Sequence, residues 1–150
     1  METISVPSTQ SSVRTEVKRI FNLQKSYQQK IADSTARDRI KKLDRLHQAV
    51  LKYRTEIQEA LYKDFRKHPS EVDIAEIYKI TSDIKHTRLH LAQWMRPRKV
   101  ATPMSQIGSS SYIHYEPKGV VLIISPWNFP FSLTFGPMIA AIAAGNCIIL

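Results

Sequence analysis

Gly119-Val-Val-Leu-Ile-Ile-Ser125-Pro-Trp-Asn128-Phe-Pro130 is the stretch of the 150-residue chain that decides its fold. Val120 to Ile124 is an aliphatic run too short for a helix, which is typical of a strand buried on both faces of a parallel sheet. Ser125 and Pro126 end this run. Pro130 has the fixed φ angle that suits the first position of a helix. We therefore predict a sharp turn at the carboxyl end of the strand.

An apolar segment follows this turn, from Phe131 to Ala144, and we predict that it is a helix. Gly145 is a residue that commonly ends helices, and Cys147 to Leu150 is a second aliphatic run. Two strands joined by a helix form a βαβ unit, whose crossover should be right-handed. The predicted fold class is therefore α/β with a parallel sheet.

Asn128 lies in the predicted turn, and the sequence allows two roles for it. Open parallel sheets bind ligands outside the carboxyl ends of their strands, where Ser125 to Asn128 would lie. The side-chain amide of Asn128 could there donate to an oxygen on which negative charge develops. Alternatively, Asn128 only caps the following helix, because Asn is among the preferred capping residues. Local rules leave both roles open.

The chain before residue 97 has the apolar periodicity of amphipathic helices. Arg96-Pro97 should end the last of them, and Arg98 to Ser111, with Pro103 and Gly108, is predicted to be a linker. Ser110 to Tyr115 alternates small polar and larger residues, which predicts a strand. Four helix starts are predicted from capping signals, at Ser11 or Ser12, at Thr35 with Asp38, at Thr55 with Gln58, and at Ser70 with Asp73.

Three motifs together resemble the start of the cofactor domain in the aldehyde dehydrogenase superfamily. They are Tyr115 to Val121, Pro126 to Pro130 and Ala141 to Asn146, in that order and spacing. The resemblance covers about residues 12 to 150 and stops just before the family's Lys-Pro-Ser-Glu. The upstream residues look most like the class-3-like branch that oxidises fatty and other hydrophobic aldehydes, and they are Ala60-Leu61, Asp64, Glu76-Ile77 and Trp94-Met95.

The resemblance implies helices followed by the start of a Rossmann-like parallel sheet that is incomplete in this chain. In the family the strand after the linker begins a small sheet that helps subunits associate. The expected divisions are a disordered amino terminus at 1–11, the helical part of the cofactor-binding domain at 12–97, the linker and small-sheet strand at 98–118, and a truncated first βαβ unit at 119–150.

The resemblance also implies the chemistry, which is NAD- or NADP-dependent oxidation of aldehydes to carboxylic acids through a cysteine thiohemiacetal and a thioester. The family's nucleophilic cysteine and its general base would lie beyond Leu150, so we expect this chain alone to be inactive. The backbone around Ser125, Pro126, Trp127 and Asn128 would face the nicotinamide and ribose half of the cofactor. The Asn128 side chain would point into the aldehyde tunnel and hold the oxyanion. The expected partners are the aldehyde and a second subunit in a homodimer.

The charge distribution bears on other partners. Of 22 Lys and Arg only Lys118 lies after residue 99, and of 13 Asp and Glu only Glu116 does. The surplus of nine positive charges raises the question of nucleic acid. The earlier charges instead have the spacing of a solvated helix face, so we predict no nucleic-acid partner. The residues with this spacing are Arg37, Lys41, Arg45 and Lys52, interleaved with Asp38 and Asp44.

The uncharged run after Gly119 is long enough to raise the question of a transmembrane helix. Three prolines, at positions 126, 130 and 137, would break such a helix and leave backbone groups unsatisfied in lipid. No apolar core follows the charged start as a signal peptide requires. We therefore predict no membrane span in this region and a cytoplasmic location. Two alternatives stay open, a non-catalytic truncated paralogue that binds full-length subunits and a membrane-associated helical protein.

Two further sets of residues could carry chemistry. Cys147 lies between Asn146 and an aliphatic run, so we expect a buried and inert thiol rather than the nucleophile. As the only cysteine it also excludes an internal disulfide.

His86 and His90 are four residues apart, so both could reach one metal ion from a helix. Thr-Arg-Leu lies between them, without the Glu of the zinc-protease motif or an evident third ligand, so we predict no metal site.

Overall fold

The structure is a computed structural model that describes residues 8–150, and the side chains of residues 12–150. Its helices are α1 (Ser8–Ala32), α2 (Ala36–Lys52), α3 (Arg54–Phe65), α4 (Pro69–Val72), a π-helical segment (Asp73–Tyr78), α5 (Lys79–Trp94), a 3₁₀ turn (Met104–Gln106) and α6 (Pro130–Ala144). Its strands are β1 (Arg98–Val100), β2 (Ser111–Ile113), β3 (Val120–Leu122) and β4 (Cys147–Ile149).

The first two helices begin near their predicted starts. The α1 helix begins at Ser8, before the predicted cap at Ser11 or Ser12, so residues 8–11 are helical. The disorder predicted for residues 1–7 lies outside the described residues. The capping box before α2 is confirmed, because the Asp38 N–H donates to Thr35 Oγ1 at 3.2 Å and the Thr35 N–H donates to Asp38 Oδ2 at 3.2 Å.

The two later capping predictions are wrong. The α3 helix begins directly after Tyr53 without a side-chain cap, so Thr55 lies inside its first turn. The cap of α4 is His68, whose Nδ1 accepts the Ser70 N–H at 3.3 Å. Pro69 then occupies the first helical position, which suits its fixed φ angle. The pattern of Ser70 with Asp73 therefore marks the right place in the chain but the wrong capping residue.

The run from Pro69 to Trp94 is continuous and ends at the predicted residue, but its middle is not an ordinary α-helix. Asp73–Tyr78 forms a π-helical segment, a rare conformation that is frequent at functional sites. Glu76 and Ile77 are both buried in it. The core lies where α2, α5 and α6 pack together, and its buried apolar members include Leu43, Ile80, Ile84, Leu91 and Ile139.

The strands form two small sheets. β1 and β2 pair in antiparallel orientation, with Arg98 opposite Ile113, so the first residues of the predicted linker are a strand. The linker prediction missed β1 because its pairing partner lies across a Pro- and Gly-containing loop. β3 and β4 pair in parallel, with Val120 opposite Cys147, and α6 joins them. The predicted α/β class and the βαβ order are confirmed, while the handedness of the crossover stays a prediction.

Both ends of α6 are held by buried charged residues. The helix ends at Gly145, which has a φ angle of 81°, a left-handed conformation that glycine adopts without steric cost. Arg39 of α2 lies beneath this end and donates to the Ala143 carbonyl at 2.9 Å and to the Ala32 carbonyl at 2.8 Å. Burial lowers the pKa of Arg39 from the ordinary value of an arginine. The other end of α6 carries the candidate site.

Candidate functional site

The candidate site is the turn between β3 and α6, residues 123–129. Ile123 is buried and its N–H donates to the Ile149 carbonyl at 2.9 Å, which extends the parallel pairing by one residue. The chain then leaves the sheet, and Ile124 is 85% exposed. Ser125 to Asn128 are exposed as well, and Trp127 has 79% of its surface accessible. The strand was predicted to be buried on both faces, but one face is open at this edge.

Ser125 is tied to the following helix. The hydroxyl of Thr134, on the first turns of α6, and that of Ser125 are hydrogen-bonded at 2.5 Å, and Thr134 Oγ1 also contacts the Pro130 carbonyl oxygen. This contact closes the turn, so that residues 125–128 project from the carboxyl end of β3 as one connected segment. The structure therefore places Ser125, Pro126, Trp127 and Asn128 together at the predicted edge of the sheet.

The two roles proposed for Asn128 differ in what its side chain should contact. The N-cap residue of α6 is Phe129, and the helix has no side-chain capping hydrogen bond. Asn128 lies one residue earlier, is exposed, and its carboxamide makes no hydrogen bond to any residue that the structure describes. The capping role is therefore wrong. The amide is free to donate to a ligand, and its catalytic role stays a prediction.

A buried ion pair lies beneath this turn. Lys67 Nζ is 2.6 Å from Glu76 Oε1, and the two side chains are 2% and 0% exposed. The second carboxylate oxygen, Glu76 Oε2, accepts the N–H of Ser132 at 2.6 Å, in the first turn of α6. The same Lys67 ammonium donates to the Asn128 carbonyl oxygen at 3.5 Å and lies 3.7 Å from the centroid of the Phe129 ring. Lys67 thus contacts the turn that carries Asn128, and Glu76 contacts the helix that follows it.

The sequence reasoning did not assign a role to Lys67 or Glu76. Glu76 appeared only as part of a family resemblance. A usable signal was nevertheless present, because Val72, Glu76 and Ile80 are spaced four residues apart and so share one face of a helix. An acidic residue in the middle of an apolar stripe indicates a buried carboxylate, which needs a cation or hydrogen-bond donors nearby.

The site can be tested for its fit to NAD or NADP. In common dinucleotide folds the helix after the first strand binds the pyrophosphate at its N-terminus. Here the Ser132 N–H of that helix is already taken by the Glu76 carboxylate, and residues 119–150 contain no Lys or Arg. The exposed hydroxyl, backbone and apolar groups of residues 124–127 suit a flat ring and a sugar better than a phosphate. These groups agree with the expected contact to the nicotinamide and ribose half of the cofactor rather than to the pyrophosphate, and that contact stays a prediction.

The other candidate residues lie apart from this turn. Cys147 is buried at 5% exposure in β4, as predicted, and its N–H donates to the Gly119 carbonyl at 2.8 Å. The His86 and His90 rings are tilted by 35° with their centroids 4.3 Å apart, and His90 Nδ1 contacts the His86 carbonyl oxygen at 2.8 Å. No cluster of three or more potential metal ligands occurs within residues 8–150.

Among the helices of residues 8–150, none has both the length and the apolar character that crossing a bilayer requires.

A cavity of about 620 Å³ lies between α5 and α6. Its lining includes Trp94, Met95, Tyr115 and Ile139 from the two helices and the segment before β3. None of Ser125 to Asn128 contributes to it. The cavity is therefore separate from the turn that the sequence predicts as the site.

Comparison with known proteins gives a consistent result. The sequence profile of the aldehyde dehydrogenase family matches residues 3–150. The 4,4'-diaponeurosporen-aldehyde dehydrogenase of Staphylococcus aureus (strain NCTC 8325 / PS 47) is 43% identical over 112 residues, which are 75% of this chain and 24% of that protein. Aldehyde dehydrogenase family 3 member B1 of Bos taurus is 40% identical over 94 residues, which are 63% of this chain and 20% of that protein.

A solved structure has a similar fold. The substrate-bound state of Staphylococcus aureus AldH superposes with a TM-score of 0.84 and 37% sequence identity, over 88% of this chain and 29% of that one. The chain spans less than a third of the length of each of these three proteins.

Proposed function

Because the chain belongs to the aldehyde dehydrogenase family, we propose that it forms the amino-terminal part of an enzyme that oxidises aldehydes to carboxylic acids with NAD or NADP. The overall reaction consumes one aldehyde, one oxidised cofactor and one water, and it yields the acid, the reduced cofactor and a proton. The cofactor, when bound, supplies the hydride acceptor. The covalent steps run through a cysteine beyond Leu150, which forms first a thiohemiacetal and then a thioester.

The residues of this chain bind and orient the reactants. The exposed segment from Ser125 to Trp127 contacts the nicotinamide and ribose half of the cofactor. The carboxamide of Asn128 donates a hydrogen bond to the aldehyde oxygen as it takes up negative charge during attack by the cysteine. The single observation that carries this assignment is the exposed Asn128 carboxamide at the carboxyl end of a parallel strand, with no hydrogen-bond partner among the described residues.

We propose fatty or other hydrophobic aldehydes as the substrates. The exposed apolar surface of Ile124 and Trp127 beside Asn128 supports this choice. The matched relatives include a family 3 member and a protein named for its action on diaponeurosporen-aldehyde. A series of straight-chain aldehydes of increasing length tests the proposal. We expect kcat/KM to rise with chain length, and a preference for the shortest aldehydes would contradict it.

A homodimer in the cytoplasm is also proposed. The β1–β2 sheet supports association, because a two-stranded sheet is marginally stable alone and its outer edges are open within the described chain. Sedimentation of the full-length protein measures the assembly, and cell fractionation measures the location. A monomer at micromolar concentration or a membrane-bound enzyme would contradict the respective part.

The role of Asn128 is tested in the full-length protein that contains these residues. Asn128→Ala should slow acylation, read as the pre-steady-state burst of reduced cofactor, by roughly a hundred to a thousand fold. Asn128→Asp should be slower still, because a carboxylate repels the developing charge. Cofactor affinity should change little. The matched control is Asn22→Ala, which removes an exposed carboxamide from α1 and should leave the burst unchanged. A normal burst in the Asn128→Ala enzyme would exclude the oxyanion role.

A further inference from the structure

A fully buried ion pair lies directly beneath the turn that carries Asn128. Such pairs are a weak source of stability, because replacing both partners by apolar residues is often neutral or favourable. We propose that Lys67 and Glu76 are positioning residues, which hold the Asn128 carboxamide where it can reach the aldehyde oxygen. This inference rests on the oxyanion role proposed for Asn128 and adds the two residues that set its geometry.

Glu76 fixes the start of the helix that follows Asn128. Its Oε2 accepts the N–H of Ser132 at 2.6 Å, and its Oε1 accepts from Lys67 at 2.6 Å, so both carboxylate oxygens are engaged. A negative charge at the N-terminus of a helix is favourable, because the free N–H groups there carry partial positive charge. Glu76 lies in the π-helical segment Asp73–Tyr78, so an unusual backbone conformation presents it to α6.

Lys67 fixes the turn itself. Its ammonium donates to the backbone carbonyl of Asn128 at 3.5 Å and lies 3.7 Å from the centroid of the Phe129 ring, a cation–π contact. Within the turn, Lys67 therefore contacts Asn128, which carries the candidate amide, and Phe129, the N-cap residue of α6. Because the Lys67 side chain is only 2% exposed, water screens these contacts less than it would at the surface.

The Asn128 side chain has no hydrogen bond of its own within the described residues. Its position therefore follows from the backbone at residues 128 and 129, which the ion pair holds from below. Catalytic groups must be well placed, since a displacement of about 1 Å can cost roughly a hundredfold in rate. Removal of the pair should therefore slow the reaction without removing any group that touches the substrate.

The test uses Lys67→Met/Glu76→Gln in the full-length protein. Methionine keeps the apolar stem, glutamine keeps an acceptor for Ser132, and no unpaired charge stays buried. We expect a burst slowed roughly 10- to 100-fold, with a nearly unchanged dissociation constant for the cofactor. The matched control is Arg54→Met/Asp73→Asn, which removes a more exposed ion pair of 2.5 Å between α3 and the same π-helical segment, with side chains 54% and 26% exposed. The control enzyme should keep a normal burst.

A second measurement separates positioning from a general loss of structure. If the pair acts through Asn128, adding Lys67→Met/Glu76→Gln to Asn128→Ala should slow the burst by less than about twofold further, because coupled substitutions are not additive. A further slowing equal to that caused by Lys67→Met/Glu76→Gln alone would overturn the inference.

Should the Lys67→Met/Glu76→Gln variant fail to fold, Lys67→Arg provides the test. It keeps a positive charge near Glu76 but replaces the compact ammonium beneath Asn128 and Phe129 by a larger planar guanidinium, which cannot keep the same contacts. A normal burst in that enzyme would overturn the proposal.

The outcomes also distinguish this inference from the proposed function. A slow Asn128→Ala enzyme beside a normal Lys67→Met/Glu76→Gln enzyme overturns the positioning role alone. A normal Asn128→Ala enzyme overturns the oxyanion role, and the positioning role with it.

Discussion

The two ends of α6 are both held by a buried charged residue from an earlier helix, but the two arrangements differ. At the N-terminal end the Glu76 carboxylate accepts the Ser132 N–H, and Lys67 neutralises it. At the C-terminal end the Arg39 guanidinium donates to the Ala143 carbonyl. Each charge has the sign that complements the helix dipole at its end.

The difference lies in what else each charge contacts. The other acceptors of Arg39 are the Ala32 carbonyl and Ser34 Oγ, both neutral, and no acidic side chain pairs with it within the described chain. Its contacts join the ends of helices and reach no part of the candidate site. At the other end Lys67 connects the anion to Asn128. The charge at one end of α6 therefore contacts only the ends of neighbouring helices, while the ion pair at the other end also contacts the turn that we propose as the site.

The largest effect on stability is expected from Glu76→Ala. This change leaves the Lys67 ammonium buried without its partner, and breaking a buried pair costs about 3 to 5 kcal/mol. Chemical denaturation measures the loss, and hydrogen exchange should show reduced protection of amides in the first turn of α6, Ser132 included. The control is Glu71→Ala, since Glu71 lies 4.0 Å from the same ammonium but is 56% exposed. Equal losses in the two variants would show that burial of the pair is not the cause.

Arg39→Met should have the next largest effect. Methionine fills part of the space, but the Ala143 and Ala32 carbonyls lose a charged donor, and we expect a loss of about 2 to 4 kcal/mol. Reduced amide protection should appear at the C-terminal end of α6, while the burst of reduced cofactor per folded molecule stays normal. Arg37→Met is the control, because Arg37 is exposed on the same helix. A slow burst in folded Arg39→Met enzyme would remove the distinction between the two ends.

A feature of this comparison could be predicted from the sequence only where it depends on a residue's own conformational preference or on neighbours a few positions away. Pro130 and Gly145 were recognised as the boundaries of α6, because the conformational preferences of Pro and Gly depend on the residue itself. The Thr35 cap was recognised because its partner is three residues away. Glu76 contacts Ser132 across 56 residues and Arg39 contacts Ala143 across 104, and no local pattern predicts such a pairing. The same reason explains why β1 was taken for a linker.

For the site, the sequence predicted the turn and its exposed residues, and the structure places Ser125 to Asn128 where they were expected. Local rules left capping and ligand binding equally open for Asn128. The structure excludes capping, because Phe129 is the N-cap and the Ser132 N–H belongs to Glu76. The sequence could not separate capping from ligand binding, because it does not show that the Glu76 carboxylate, 56 residues away, contacts the first turn of α6.

The smallest effect is expected from Gly145→Ala, at the C-terminal boundary of α6 that the sequence predicted. Gly145 has a φ angle of 81°, where any other L-residue costs about 1 to 2 kcal/mol. The added methyl group would also meet the Arg39 guanidinium, which must shift. The control is Gly136→Ala within α6, where the methyl group enters open space and alanine should stabilise the helix by up to about 1 kcal/mol. In the Arg39→Met background Gly145→Ala should cost less, because the guanidinium is gone and only the backbone strain is left. An unchanged cost there would mean that Arg39 and Gly145 hold the C-terminal end of α6 independently.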